Sequence, residues 1–121
     1  MVKEKKGVRA MDFIDKLKQF STRVEKLKDQ IGTEEATKMS LIIPFFQMLG
    51  YDVFNPDEFL PEYTADVGIK KGEKVDYAIL KEGQPVILIE AKWCGEALDR
   101  HSSQLFRYFG TTTAKFAILT N

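Results

Sequence analysis

The chain has 121 residues, of which 44% are hydrophobic and 12% aromatic, which suits one domain with one core and is too short for two. Its 18 basic residues balance its 18 acidic residues, so contacts with nucleic acid would have to come from local patches. A single cysteine excludes an internal disulfide, and no Cys/His cluster has zinc-site spacing. No apolar run is long enough for a signal peptide or a membrane span, so we expect a soluble, cytoplasmic protein.

The first predicted helix covers residues 11–31 and follows a flexible basic tail, residues 1–10. Its apolar residues recur three or four positions apart and form one stripe: Phe13, Leu17, Phe20, Val24, Leu27 and Ile31. Gly32 ends this helix, and Thr33 is suited to cap the next one. The stripe favours packing on a sheet, with a homodimer interface as the alternative.

The second predicted helix starts after Thr33 and ends near Gly50. Its spacing predicts one buried face, formed by Met39, Ile42, Phe46 and Leu49. Pro44 lies inside this pattern, where it lacks a backbone N–H and should kink or divide the helix.

The rest of the chain predicts strands and one more helix. In chain order we expect a strand at 51–54, an irregular segment at 55–63, a strand at 67–69, a hairpin at 75–92, a helix at 95–109 and a strand at 116–119. The predicted fold class is therefore α/β. Because the last strand lies so near residue 121, we also expect either a fragment of a longer chain or a strand at the sheet edge.

The hairpin at 75–92 carries the most informative residues, Asp76 on one strand and Glu90 and Lys92 at the end of the next. Side chains alternate along a strand, so Glu90 and Lys92 point to the same face. An odd-numbered loop with Gly83 in the left-handed conformation would set Asp76 on that face too, opposite Glu90 or one pair along. A two-residue loop would separate them unless a bulge intervened. Two adjacent carboxylates could then share a cation, whereas the alternative is ordinary solvated charges at strand ends.

Several ordered motifs resemble the N-terminal nuclease domain of type I restriction enzyme R subunits, which belong to the PD-(D/E)xK nuclease superfamily. They are EEATK at 34–38, LIIPFF at 41–46, LGYDVFNP at 49–56, KVDYAIL at 74–80, PVILIEAK at 85–92 and ILTN at 118–121. This resemblance implies a restriction-endonuclease-like core at 33–121, in the order helix, three strands, helix and strand, with a mixed central sheet flanked by helices. The helix at 11–31 would be an addition to that core.

The resemblance also assigns roles. Asp76 and Glu90 would bind Mg²⁺, or Mn²⁺ as a substitute, together with the backbone carbonyl of Ala91, and Lys92 would be the catalytic lysine. Two residues of the last helix match a Gln-x-x-x-Tyr signature, Gln104 and Tyr108. Glu34 would be a further metal ligand, with Glu35 as the alternative because helical spacing aligns it with the apolar face.

The implied activity is a divalent-metal-dependent DNA endonuclease that is weak and nonspecific when isolated. Partners implied by the family are DNA, a helicase or motor domain, and the specificity and modification subunits of a restriction complex. The chain contains no glycine-rich Walker loop, so no ATP site is predicted. Candidate phosphate contacts are Lys70, Lys71, Lys74, Arg100 and Arg107. The alternatives are an inactive nucleic-acid-binding or assembly domain of the same fold and a dimerisation module.

Overall fold

Four strands form one mixed sheet in the computed structural model, which describes residues 12–64, 74–99 and 103–121. The strands are β1 (Phe59–Tyr63), β2 (Val75–Lys81), β3 (Gln84–Ala91) and β4 (Phe116–Thr120). They lie in the order β1-β2-β3-β4, so β1 and β4 are the edges. The first three strands are antiparallel neighbours, and β4 runs parallel to β3. The predicted α/β class with a mixed sheet is confirmed.

The helices occupy both faces of this sheet. The first is α1 (Phe13–Leu27), which continues into a 3₁₀ turn (Lys28–Gln30). The second helix consists of three continuous segments, α2 (Glu34–Thr37), a π-helical turn (Lys38–Ile42) and α3 (Ile43–Met48). The last is α4 (Ser103–Thr111). None of the helices in these described ranges is long and apolar enough to cross a membrane.

Two apolar clusters join these helices to the sheet. The second helix contributes Ile42 and Phe46 to the larger cluster, where they meet Phe59, Tyr77 and Ile89 of the strands. On the other face, α4 packs on the sheet through a smaller cluster that comprises Val75, Ala78, Leu88, Leu105, Tyr108 and Ala114. Strands β2 and β3 are covered on both sides, which explains their nearly continuous apolar sequence.

Helix α1 lies against α3 rather than on the sheet. The contact runs through Phe20, whose ring centroid is 5.6 Å from that of Phe45. The N-terminal part of the stripe is open, since Phe13 is 55% and Leu17 37% exposed. The predicted stripe is therefore a packing surface only in its C-terminal half. Whether its open half serves a homodimer stays a prediction.

The predicted face of the second helix is wrong at both ends, because Met39 and Leu49 are exposed while Leu41 is buried. The π-helical turn widens the helix by one residue and rotates its first part relative to its last part. Pro44 follows this turn directly, in the first turn of α3, so the helix is divided near the proline as predicted. Pro44 has no backbone N–H to donate to the Ser40 carbonyl four residues earlier. Arg23 donates to that carbonyl instead, with Nε and O 3.3 Å apart. The predicted Thr33 cap is confirmed, as its side chain accepts from the Ala36 N–H.

The strand predicted at 51–54 is wrong, because this segment forms turns. Asp52 accepts the backbone N–H of Phe54 with its side chain, and Asn55 accepts that of Asp57, so local bonds replace strand pairing. Conversely, β1 begins inside the segment predicted to be irregular. Its Pro61 is compatible with a strand because β1 is an edge. The strand predicted at 67–69 and the tail at 1–10 lie outside the described residues.

The helix predicted at 95–109 begins later than expected. Residues 95–99 are turns and irregular structure, and α4 starts at Ser103. Gly95 lies under the Trp93 ring, where a Cβ atom would come within 2.7 Å of ring carbons. The Glu96 N–H donates to the Trp93 carbonyl, and the Asn121 side chain donates to the Glu96 carbonyl. These contacts fix a turn where periodicity alone predicted a helix. The predicted last strand is confirmed as β4.

Candidate active site

The hairpin of β2 and β3 combines a two-residue loop with an irregularity in the strand pairing. Its loop has two residues, Glu82 and Gly83, with φ of 53° and 77°, which is the conformation of a tight hairpin turn. The pairing then shifts between Ile79 and Leu80. Of the two alternatives that the sequence left open, the structure therefore has the two-residue loop with an irregularity and not the odd-numbered loop. This irregularity reverses the parity that a two-residue loop would impose.

Beyond the shift, Tyr77 pairs with Ile89, and the same register sets Asp76 opposite Glu90. The two carboxyl groups are hydrogen-bonded to each other. The Ala91 N–H also donates to Asp76, with N and Oδ2 2.7 Å apart. Asp76 and Glu90 thus face each other at the ends of two central strands, as predicted.

The two carboxyl groups of this pair have opposite pKa shifts. Burial, reinforced by the hydrogen bond to Asp76, raises the pKa of Glu90 to about 8. Burial alone would also raise the pKa of Asp76, but hydrogen bonds from Glu90, Lys38 and the Ala91 N–H lower it below its ordinary value. Near neutral pH the pair therefore shares one proton, which Glu90 carries and donates to the Asp76 carboxylate.

Lys38 forms an ion pair with Asp76 and was not predicted as a site residue from the sequence. Its Nζ lies 2.7 Å from Asp76 Oδ1, and both side chains are largely buried, at 13% and 16% exposure. The same ammonium lies 3.1 Å from Glu35 and 3.6 Å from Glu34. Burial alone would lower the pKa of Lys38, yet the hydrogen bonds to Asp76 and Glu35 raise it. The Glu-x-x-Lys spacing predicts only an ordinary surface ion pair.

Glu34 and Glu35 point in different directions from the first turn of the second helix. Glu34 Oε1 is 3.8 Å from Lys92 Nζ, and its charge acts on Glu90. Glu35 is 81% exposed and contacts Lys38 alone among the ion pairs described. Of the two acids predicted as alternatives, Glu34 is therefore the one that borders Lys92 and the carboxyl pair.

The segment after β3 is bound to the start of the second helix. Trp93 Nε1 donates to the Ile31 carbonyl at 2.7 Å, and the Cys94 N–H donates to Thr37 Oγ1 at 3.0 Å. Thr37 is fully buried and itself donates to the Thr33 carbonyl. The Lys92 N–H donates to the carbonyl of Thr120 in β4. These bonds fix the backbone on both sides of Lys92.

Gln104 and Tyr108 lie on the face of α4 that meets the sheet. Gln104 Nε2 donates to the Lys74 carbonyl at 3.0 Å, two residues before Asp76. Tyr108 is fully buried in the cluster that contains Ala78 and Leu88. These positions hold α4 against the beginning of β2, and a direct catalytic role for either residue stays a prediction.

The candidate phosphate contacts fall into two groups. Lys70, Lys71 and Arg100 lie outside the described residues. Lys74 is half exposed and lies 3.8 Å from Glu62, while Arg107 is exposed on α4. A cavity of about 320 Å³ adjoins Asp76, and Lys38 and Lys74 are among its lining residues. Two lysines therefore border the approach to Asp76.

The donor set fits a hard divalent cation in its chemistry. Carboxylate and carbonyl oxygens are the ligands that Mg²⁺ prefers, and the carboxyl groups of Asp76 and Glu90 are close enough to share a proton. Within the described ranges no group of three or more His, Cys, Asp or Glu side chains is arranged to hold an ion. Any protein ligands beyond the pair would have to be backbone carbonyls, as predicted for Ala91, or Glu34 after a rearrangement.

Comparisons with protein-family models, curated proteins and solved structures gave no match for the chain.

Proposed function

We propose that this domain is a divalent-metal-dependent DNA endonuclease with a restriction-endonuclease-like fold, related to the nuclease domain of type I restriction enzyme R subunits. The observation that carries the proposal is the pair formed by Asp76 and Glu90, which face each other at the ends of two central strands. Burial and the neighbouring carboxyl group raise the pKa of Glu90, whereas the pKa of Asp76 is lowered. Paired acids with divergent pKa values are typical of functional sites. The element order of helix, three strands, helix and strand also agrees with this fold.

Asp76, Glu90 and the Ala91 carbonyl would hold the cation. When bound, a divalent cation supplies an activated water and stabilises charge that develops on a phosphodiester. Glu90 must lose its proton before it can act as a ligand, because a protonated carboxyl group is a poor ligand for a hard cation. The carboxyl pair is thus the part of the site that links cation binding to pH.

Lys92 provides the positive charge next to the carboxyl pair. It follows Glu90 by two residues and is 23% exposed, so its ammonium is accessible to a bound phosphate. There it orients the attacking water, assists its deprotonation or stabilises the negative charge of the transition state. Glu34 lies 3.8 Å from the Lys92 ammonium and forms an ion pair with it.

Gln104 and Tyr108 act in this proposal as positioning residues. The Gln104 side chain fixes the backbone at Lys74, which sets the start of β2 and with it Asp76. Lys74, which borders the cavity next to Asp76, would meet the sugar-phosphate backbone. Such a contact does not read bases, so we expect cutting without sequence preference. A motor domain and specificity and modification subunits would supply DNA selection.

The decisive experiment combines Mn²⁺ calorimetry with nicking of supercoiled DNA in Mg²⁺ or Mn²⁺. We compare the unaltered chain, Asp76→Asn, Lys92→Met and a matched control, Asp57→Asn, which changes an exposed acid in the turn before β1. Asp76→Asn should lose cation binding and nicking together. Lys92→Met should retain cation binding and lose nicking by about 100-fold or more, since general acid–base and electrostatic catalysis each contribute factors of that order. Asp57→Asn should change neither.

The outcomes separate the proposed function from its alternative. Cation binding without nicking by the unaltered chain would indicate an intact site that needs partner subunits. If the unaltered chain neither binds Mn²⁺ nor nicks DNA, the catalytic proposal is wrong. DNA binding that persists without a cation would then favour a non-catalytic assembly domain.

A further inference from the structure

The protein places a positive charge of its own at the carboxyl pair, the ammonium group of Lys38. It makes the shortest ion pair described in the molecule, 2.7 Å to Asp76 Oδ1, and both partners are largely shielded from water. The remaining Asp76 oxygen accepts the Ala91 N–H, with N and Oδ2 2.7 Å apart. Each oxygen of the Asp76 carboxylate therefore already has a donor from the protein.

Lys38 also has a second partner within reach. Glu35 lies 3.1 Å from the same ammonium and is 81% exposed, so the Lys38–Glu35 pair can persist at the surface without Asp76. The two acids contact Lys38 from different elements, Glu35 from its own helix and Asp76 from β2. A small rotation of the lysine side chain away from Asp76 would thus leave Lys38 paired with the exposed acid alone.

We propose that Lys38 is a competitor of the divalent cation: it pairs with both Asp76 and Glu35 in the free protein, and it gives up Asp76 and keeps Glu35 when the cation binds. This inference rests on the proposed function, because it concerns the same Asp76. It assigns a regulatory role to a residue outside the predicted set. Lys38 prevents the acidic groups from repelling one another in the free protein, and it raises the cation concentration at which the site fills.

The first test measures Mn²⁺ affinity by calorimetry in the unaltered chain, Lys38→Met and Lys38→Arg. Removal of the competing charge by Lys38→Met should tighten Mn²⁺ binding by about tenfold, the size expected for loss of one charge-assisted hydrogen bond. Lys38→Arg keeps the charge and should remain within about threefold of the unaltered chain. A residue that merely supports the site would give the opposite sign, with weaker binding in Lys38→Met.

The chain offers a matched control for the ion pair. Glu25 at the end of α1 and Lys28 in the following 3₁₀ turn have the same spacing, with Nζ and Oε2 3.1 Å apart. Lys28→Met should leave Mn²⁺ affinity unchanged. Glu35→Gln should weaken Mn²⁺ binding by about threefold, because Lys38 loses its alternative partner, and Glu25→Gln should not. In a Lys38→Met background the effect of Glu35→Gln on Mn²⁺ affinity should disappear, because the ion pair between residues 35 and 38 is then already absent.

Thermal unfolding covers the case in which Lys38→Met is too unstable for calorimetry. The variant should unfold at a lower temperature than the unaltered chain without a cation and show a larger rise in Tm with saturating Mn²⁺. Equal or weaker Mn²⁺ binding by Lys38→Met, while the unaltered chain binds Mn²⁺, would overturn the competitor role and leave the proposed function intact. Absence of Mn²⁺ binding in both proteins would overturn both. Binding seen only in Lys38→Met would support both.

Discussion

Replacement of Glu90 by Gln should make the cation-free protein more stable at alkaline pH. Burial and the hydrogen bond to Asp76 raise the pKa of Glu90 to about 8, from 4.5 for the free side chain. The folded protein therefore holds a proton between these pH values that the unfolded chain releases. The contribution of Glu90 to the unfolding free energy is then greatest below pH 4.5, declines as pH rises toward 8 and is constant above that. A Gln amide can keep the hydrogen bond to Asp76 without any proton.

The magnitude follows from proton linkage. One extra proton on the folded state gives a slope of at most about 1.4 kcal/mol per pH unit. Partial contact of the neighbouring charges with solvent reduces this slope, so we expect the unaltered protein to lose about 2 kcal/mol of unfolding free energy between about pH 5.5 and pH 8.5. Asp76 does not contribute in this range, because its pKa lies below its ordinary value of 3.8.

Urea unfolding with a chelator present, at several pH values across this range, measures the effect. The quantity to compare is the difference in unfolding free energy between Glu90→Gln and the unaltered chain at each pH, because contributions from all other titrating groups cancel in it. The difference should grow by about 2 kcal/mol toward alkaline pH. A difference that stays constant would refute the assignment of the shared proton to Glu90, and a difference of the opposite sign would show that the carboxylate itself is stabilised.

Two further predictions concern the backbone around the site. Thr37→Val should destabilise the protein by about 1–3 kcal/mol in urea unfolding, because the partly buried Cys94 N–H loses its acceptor, whereas Thr37→Ser should be close to neutral. Equal effects of both variants would contradict the role of the hydroxyl. Arg23→Ala should lower the unfolding free energy by about 0.5–1.5 kcal/mol, because the hydrogen bond to the Ser40 carbonyl is lost. This loss should be smaller when Pro44→Ala supplies a backbone donor to that carbonyl. Additive effects of the two substitutions would show that the two donors do not compete.

The sequence predicted the carboxyl pair better than the hairpin that creates it. Gly83 correctly marked the turn, and the apolar runs correctly marked both strands. The sequence left the loop length open. The loop has two residues, and Asp76 and Glu90 face each other because the pairing shift between Ile79 and Leu80 is the irregularity that such a loop requires. A bulge depends on how two strands meet, and neither strand's sequence alone specifies it.

Lys38 is a residue of the site that could not be predicted from the sequence. Helical periodicity placed Met39 on the buried face, and nothing in the spacing indicated that its neighbour Lys38 would reach Asp76. Pro44 signalled a disturbance in the helix, but not that a π-helical turn before it would rotate the preceding residues. A prediction based on 3.6 residues per turn carries no information about such a turn. The partner on β2 becomes visible only once the helix is packed on the sheet.

The cluster of Asp76, Glu90 and Lys38 lowers the stability of the free protein. This can be tested by substituting its members and comparing stability with cation affinity. Two carboxyl groups face each other, one retains a proton, and Lys38 offsets only the charge of Asp76. Variants that remove a carboxylate, such as Glu90→Gln, should therefore stabilise the cation-free protein at alkaline pH and weaken cation binding. Lys38→Met should do the reverse on both counts. If stability and cation affinity instead change in the same direction across these variants, the cluster supports the fold rather than binding.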